Sequence, residues 1–255
     1  IAIITAAPFF IKHSRNYFFV FILAYAILLI VLFYIIQRFD AQQIGILSNY
    51  PTWILLILML VVSNVVLYPK TRLVPGTAPN ALMEPAIALI RAGLNPYSIR
   101  LFDGAPISPG PGWILLNSIF SLSGLITLLT PTYLLWAGSM IAQWSKTYTF
   151  IFTLLLLLTI NFLQLSFTGH DLPATSLAMT ALTLMLHRYH KNKFLFFSIA
   201  ILTGLVATAR VPFIIFPIVL SVCLNTINRQ RAIQFAIFST GLAIIIHLIF
   251  YFWAL

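Results

Sequence analysis

An all-α bundle of transmembrane helices is the fold the sequence predicts, and three observations predict it. The chain is 61% hydrophobic and only 7% charged, whereas a soluble domain carries about 25% charged residues. Its mean hydropathy is +1.04. The apolar residues form continuous runs near the length of a membrane-spanning helix, not the alternating segments of about ten residues that build a barrel. Roughly seven to eight apolar segments are expected, in a single transmembrane domain over 1–255 with a large outer loop at 69–112.

Lys12, His13 and Arg15 precede a run from Tyr17 to Ile36, long enough to span. The polar connection QRFDAQQ follows, and Thr52 to Tyr68 forms a second run. Beyond the loop, Trp113 to Leu129 is apolar, Pro131 is expected to break it, and Tyr133 to Trp144 continues. Phe150 to Phe167 reads as one span. TGHDLP (168–173) is a short polar turn, and Ala174 to Leu186 leads into the basic segment HRYHKNK. Phe194 to Ala209 spans again, Arg210 and Pro212 interrupt, and Phe213 to Leu224 continues. The polar turn NTINRQR precedes a last apolar stretch, Ala232 to Leu255. The chain opens at Ile1 without a methionine and stops inside an apolar run, so a fragment of a longer protein is expected.

The loop from Pro69 to Gly112 is longer than a connection requires, which points to a function. It holds Glu84 and Asp103, two of only four acidic residues in the chain. Leu82, Ile87, Leu89, Ile90 and Leu94 fall near helical spacing, with Asn80 as N-cap and Gly93 as the stop. A short helix lying on the membrane surface is expected there, followed by an extended Pro-rich arm.

The net charge of +10 is spread over connections and helix ends. No basic block interleaves with aromatics, so nucleic acid is not an expected partner, and anionic lipid head groups are. Cys223 is the single cysteine and sits in an apolar run, which excludes a disulfide within the chain. The excess of Lys and Arg on cytoplasmic loops puts HRYHKNK and NRQR on the inner side. His170, Asp171 and Arg210 then belong on the opposite face. Placing the large loop with them requires an even number of crossings between Gly112 and Thr168, where three apolar runs stand. Either one run enters without crossing or two form one broken helix.

Few residues can carry chemistry. Glu84 is either a solvated face residue or a functional carboxylate beside the membrane. Asp103, before Gly104, is either a turn residue or a second functional acid. Asp171 precedes Leu172-Pro173 and can serve as the N-cap of the following helix, with His170 as a helix-end histidine. Arg210 lies between apolar runs, where a charge must snorkel, pair or face a polar cavity. Its forked donors also suit a phosphate. No metal site is assigned: His187 and His190 stand in a solvated basic segment, and no phosphate loop, HExxH or CxxC is present.

Three segments, RAGLNPYSIRLFDGAPISPGPGWILL, TGHDLPATSLAMTALTLMLHRYHKN and ILTGLVATARVPFIIFPIVL, together resemble the GT-C superfamily of polyprenyl-phosphate-sugar-dependent glycosyltransferases, in its bacterial mannosyltransferase-like branch. They cover about half the chain in the family's order. The resemblance implies an integral protein of the bacterial inner (plasma) membrane that acts in the cell envelope. It implies a hexosyltransferase that moves a sugar from a polyprenyl-phosphate donor to a hydroxyl of a glycan, glycolipid or protein acceptor on the outer face. By the same resemblance Glu84 is the general base, with Asp103 in reserve. Asp171 is a second acidic or acceptor-orienting group, Arg210 contacts the donor phosphate, His170 is a further substrate-binding residue, and Asn95 and Tyr97 line the groove. No cofactor is assigned beyond the lipid-linked donor, and a divalent metal is left open. Here Ser108 to Gly112 stands where the family carries a Pro-Pro motif. Alternative readings are a transporter or flippase of a lipid-linked substrate, an O-antigen polymerase or ligase type enzyme, and a membrane subunit that anchors a partner.

Overall fold

The computed structural model describes residues 52–71, 83–98, 100 and 107–253, together with five helical positions, Leu23, Ala26, Ile27, Ile30 and Tyr34, within the first predicted run. The described residues are helices joined by turns, with a lone bridge position at Arg100. Ten helices follow in order: α1 (Thr52–Thr71), α2 (Met83–Ala92), α3 (Pro111–Leu122), α4 (Leu129–Ala142), α5 (Lys146–Leu157), α6 (Ile160–Phe167), α7 (Leu172–Tyr189), α8 (Lys193–Ala207), α9 (Ile215–Asn225) and α10 (Arg229–Trp253). Short 3-10 turns stand at Pro96–Ser98, Ile126–Leu128 and Val211–Ile214.

Helix α7 is the central post. It packs along α4 and α8, while α10 packs on α8 and α9. Trp113, Ile114, Leu134, Leu182, Phe196, Ile199 and Phe235 form the closed interior. A long exposed apolar face runs down α10 through Ile237, Phe238, Ile245, Ile249 and Phe252, as a lipid-facing surface requires. By length and composition α10 alone is sufficient to cross a membrane among the described residues, and up to three spans result if each of two bent pairs counts as one. The pairs are α3 with Ile126–Ala142, bent by 118°, and α5 with α6, bent by 74°. Thr52–Leu67, Lys193–Ala207 and Val211–Asn225 are apolar but shorter.

The first bend corrects one predicted boundary. The chain breaks at Gly124, which takes φ +73, a left-handed conformation that ends helices. Pro131 instead lies in the first turn of α4, where its missing N–H costs no hydrogen bond. The second bend, at Leu158 and Thr159, divides the predicted span from Phe150 to Phe167 without a Gly or Pro. Beyond it, a tertiary contact ties α6 to α1. The Asn64 side chain on α1 donates to Thr127 O and to Ser166 Oγ on α6, both at 3.0 Å. At the large loop, α1 runs through Thr71, so Pro69 belongs to its last turn. Helix α2 stops at Gly93, φ +63, as predicted, and Asn80 lies outside the described residues.

The contacts of the bent pairs place the two ends of each pair along the bundle. Trp113 at the start of α3 meets Asp171 at the start of α7. Gln143, just after α4, accepts a hydrogen bond from Tyr189 at the end of α7. Eighteen residues of α7 separate these ends by about 27 Å. The α3–α4 pair therefore carries the chain from one end of the bundle to the other, and the α5–α6 pair carries it back. Asn95–Ser98 and Pro109–Trp113, the described parts of the large loop near α3, therefore lie at the same end as Asp171 and Arg210.

The turns at the far end carry their own caps. Ser145 accepts from Tyr148 N–H, Asn192 from Leu195 N–H and Asn228 from Arg231 N–H. At the near end Gly110 sits so close to the chain after α8 that an added Cβ would lie 1.7 Å from Thr208 O. Gly110→Ala is expected to destabilise the protein by about 1–3 kcal/mol. Gly241→Ala, in the interior of α10 with open space around it, is expected to be neutral or to stabilise by up to about 1 kcal/mol. Thermal unfolding in detergent compares the two.

Candidate functional site

At the near end four segments far apart in sequence converge. They are Asn95–Ser98, Pro109–Trp113, Thr168–Leu172 and Thr208–Arg210. Each arrives at the end of a helix, and polar side chains from one segment satisfy backbone groups of another. The N-terminus of α3 has no side-chain cap of its own. Thr208 Oγ1 supplies one, accepting from Trp113 N–H at 2.8 Å, and Gly110 N–H reaches Ala209 O at 3.3 Å. Both contacts need the close approach that glycine at 110 permits.

At the centre stands an ion pair. The two ends of the Arg210 guanidinium meet the two oxygens of Asp171, Nη2 to Oδ1 at 2.7 Å and Nη1 to Oδ2 at 3.0 Å. Trp113 Nε1–H donates to Oδ2 at 2.9 Å, and His170 Nδ1 lies 3.3 Å from Oδ1. The Asp171 side chain is 1% exposed and that of Arg210 17%. A fork-to-fork arrangement is the strongest geometry available to such a pair. Burial pushes the Asp171 carboxyl up, but the His170 contact and the Arg210 charge outweigh it and hold the group below its ordinary value. The Thr208–Arg210 segment is extended at Arg210, and Arg210 Nη1 also donates to Ala209 O at 2.7 Å.

Asp171 occupies the N-cap position of α7, yet its carboxylate caps nothing. Its two oxygens instead accept two bonds from Arg210 and one from Trp113. The cap passes to its neighbour, as His170 Nδ1 accepts from Leu172 N–H at 3.2 Å. That nitrogen also faces Asp171 Oδ1, and one ring nitrogen cannot accept and donate at once. With Nδ1 bare the ring holds Leu172, and with a hydrogen on Nδ1 it holds Asp171.

The loop segment forms one wall. Asn95 Oδ1 accepts from Tyr97 N–H at 2.8 Å, and Asn95 Nδ2 reaches Phe250 O near the end of α10 at 3.2 Å. Tyr97 Oη donates to Pro109 O at 2.9 Å. Burial raises the Tyr97 phenol above its ordinary value and the nearby Arg210 charge offsets part of the shift. The phenol is therefore a neutral donor.

The structure thus gathers Asn95, Tyr97, His170, Asp171 and Arg210 at one end. Glu84 lies on α2, which packs against α3, and Asp103 lies outside the described residues. Trp113, Thr208 and Gly110 complete the site and were not singled out by the sequence. Trp113 directly after PGPG was the one local signal; Thr208 and Gly110 meet across almost the whole α3–α8 stretch. Among the described residues no group of three His, Cys, Asp or Glu could hold a metal ion. No protein-family model, curated protein or solved structure matches the chain.

Arg210→Ala leaves a buried carboxylate without its counter-charge and is expected to lower stability by about 3–5 kcal/mol. Arg210→Lys, a point charge without the fork, is expected to recover only part of that loss. Because the folded state depresses the Asp171 value, its contribution is complete above the ordinary carboxylate range and fades as pH falls through the depressed value. The stability gap between wild type and Asp171→Asn should therefore be constant from neutral pH to that range and close below it. Thermal unfolding against pH measures this, and a gap that stays open in acid refutes the ionic account.

Proposed function

We propose that the protein is a membrane glycosyltransferase that moves a hexose from a polyprenyl-phosphate donor to an acceptor hydroxyl. The observation that carries this reading is the unused edge of Arg210. Asp171 and Ala209 O take three of its five N–H groups, and Nε–H and the outer Nη2–H have no acceptor among the described residues. Those two donors form a second fork that matches two oxygens of a phosphate. Asp171 is then a positioning residue: it fixes the guanidinium plane and leaves one edge for ligand. This differs from the acceptor-orienting role that the family resemblance gives it, because its oxygens already hold Arg210 and Trp113.

The six Lys and Arg residues in the turns at the far end mark that end as cytoplasmic. The site end is then the outer face of a bacterial inner membrane, and the roughly seven to eight apolar segments surround it, some as broken crossings. The acceptor O–H gives its proton to the Glu84 carboxylate, with Asp103 in reserve. The oxygen bonds the anomeric carbon as the bond from that carbon to the phosphate oxygen breaks. The electron pair leaves with the lipid phosphate, whose charge Arg210 meets. Asn95 and Tyr97 hold the wall beside it.

A second reading, a transporter of a lipid-linked substrate, is favoured by the two bent helix pairs, since interrupted helices often line transport sites. One assay separates the two. Vesicles holding the protein, a radiolabelled monoglycosyl polyprenyl phosphate and an acceptor extract either form labelled product or only exchange intact donor between leaflets. Product formation is expected, falling by about 10²–10⁴-fold in Glu84→Gln or Asp103→Asn. Full activity in both variants would remove the base assignment, and donor exchange without product would favour the transporter.

A further inference from the structure

We propose that the end of the bundle opposite the Asp171–Arg210 pair holds a selective site for an anionic phospholipid. A groove with a cavity volume of about 100 Å³ runs between the last turns of α7 and α9. Leu186 and His187 line one side, Leu220 and Cys223 the other, and Ile227 in the α9–α10 turn closes its end. The walls are mostly apolar, as an acyl chain requires.

The helix ends and turns that adjoin the groove are rich in cations. His187 is followed at once by Arg188, then by Lys191 and Lys193 in the α7–α8 turn. Ile227 stands two residues before Arg229, with Arg231 beyond it, and Lys146 belongs to the neighbouring α4–α5 turn. Tyr189 Oη bonded to Gln143 Oε1 at 3.0 Å, and Trp144 against His187 with ring centroids 6.0 Å apart, bring that turn to the same end. Among the described residues the only side-chain carboxylate in an ion pair is that of Asp171, at the far side of the bundle. No described Asp or Glu stands at this end, so among the described residues these cations have no carboxylate partner. Arg188 and Arg231 rest instead over the Tyr189 and Phe196 rings.

Apolar walls in the groove and cations in the adjoining turns, without a carboxylate partner among the described residues, fit one molecule with a chain and a negative head group. A zwitterionic lipid offers the chain without the net charge, and a free phosphate offers the charge without the chain. Exposed Trp144 and Tyr148 flank the rim, at the level where aromatic side chains meet head groups. The site rests on the bilayer reading of the bundle and is independent of any transfer chemistry.

The chain's single cysteine lines this groove and is exposed, so a bimane attached to Cys223 reports from inside it. Labelled protein in phosphatidylcholine vesicles is titrated with phosphatidylglycerol brominated on its acyl chains and, in parallel, with phosphatidylcholine brominated the same way. Half-quenching is expected at a several-fold lower mole fraction of the anionic lipid. Arg188→Gln and Arg229→Gln should each reduce that preference by about five-fold or to unity, whichever comes first. Thr183→Trp, at an exposed position in the groove wall, should abolish it while every cation remains. Equal quenching by both lipids in the wild type overturns the selective site and leaves the bilayer reading intact. No quenching by either overturns both. A preference untouched by Thr183→Trp overturns the groove as the seat of the chain.

Discussion

The pairing of Arg210 with Asp171 is the constraint on which the near end of the bundle depends. Each residue arrives on a chain end that apolar helices have carried to the same place, and neither charge has enough water there to stand alone. Both oxygens of the carboxylate and both terminal nitrogens of the guanidinium are used. The approach of α3 follows from that pair, because Trp113 must reach Asp171 while its backbone N–H finds Thr208. Gly110 follows in turn, since a side chain there would collide with Thr208.

The two ends of the molecule are built on different principles. At the far end, Ser145, Asn192 and Asn228 cap the next helix from three residues away, so each turn is satisfied by its own sequence. At the near end, α3 and α7 have no cap of that kind from their N-cap side chains. Thr208 caps α3 from another helix, and His170 covers α7 in place of Asp171. Local capping makes a turn that survives changes elsewhere, whereas borrowed capping makes an end whose parts form together. Chemistry that needs several side chains fixed relative to one another belongs at an end of the second kind.

A buried ion pair adds little net stability over an apolar core, yet removing one partner is costly. Its value here is orientation. With one edge of the Arg210 plane held by Asp171, the other edge has a fixed direction, which a lone arginine on a flexible stem would lack. The neutral Tyr97 phenol, tied to Pro109, gives the same region a fixed wall.

The helical class, the positions of most helices and the opposition of basic and polar turns were legible in the chain itself. They depend on run length, on Asn, Ser and Gly at helix ends, and on the spacing of charges, all of which act between near neighbours. The stop at Gly93 is of this kind. The sequence also marked Arg210 and Asp171 as residues needing an explanation, because few charges stand near so much apolar surface. Only the tertiary structure decided that they explain each other. It also decided that the break falls at Gly124 and not Pro131, that Asn64 ties α1 to α6, and that Asp171 gives up the cap it was placed to make. These outcomes are competitions between a local bond and one formed across many residues. The local partner is visible in sequence, while the distant one exists only once the helices have packed.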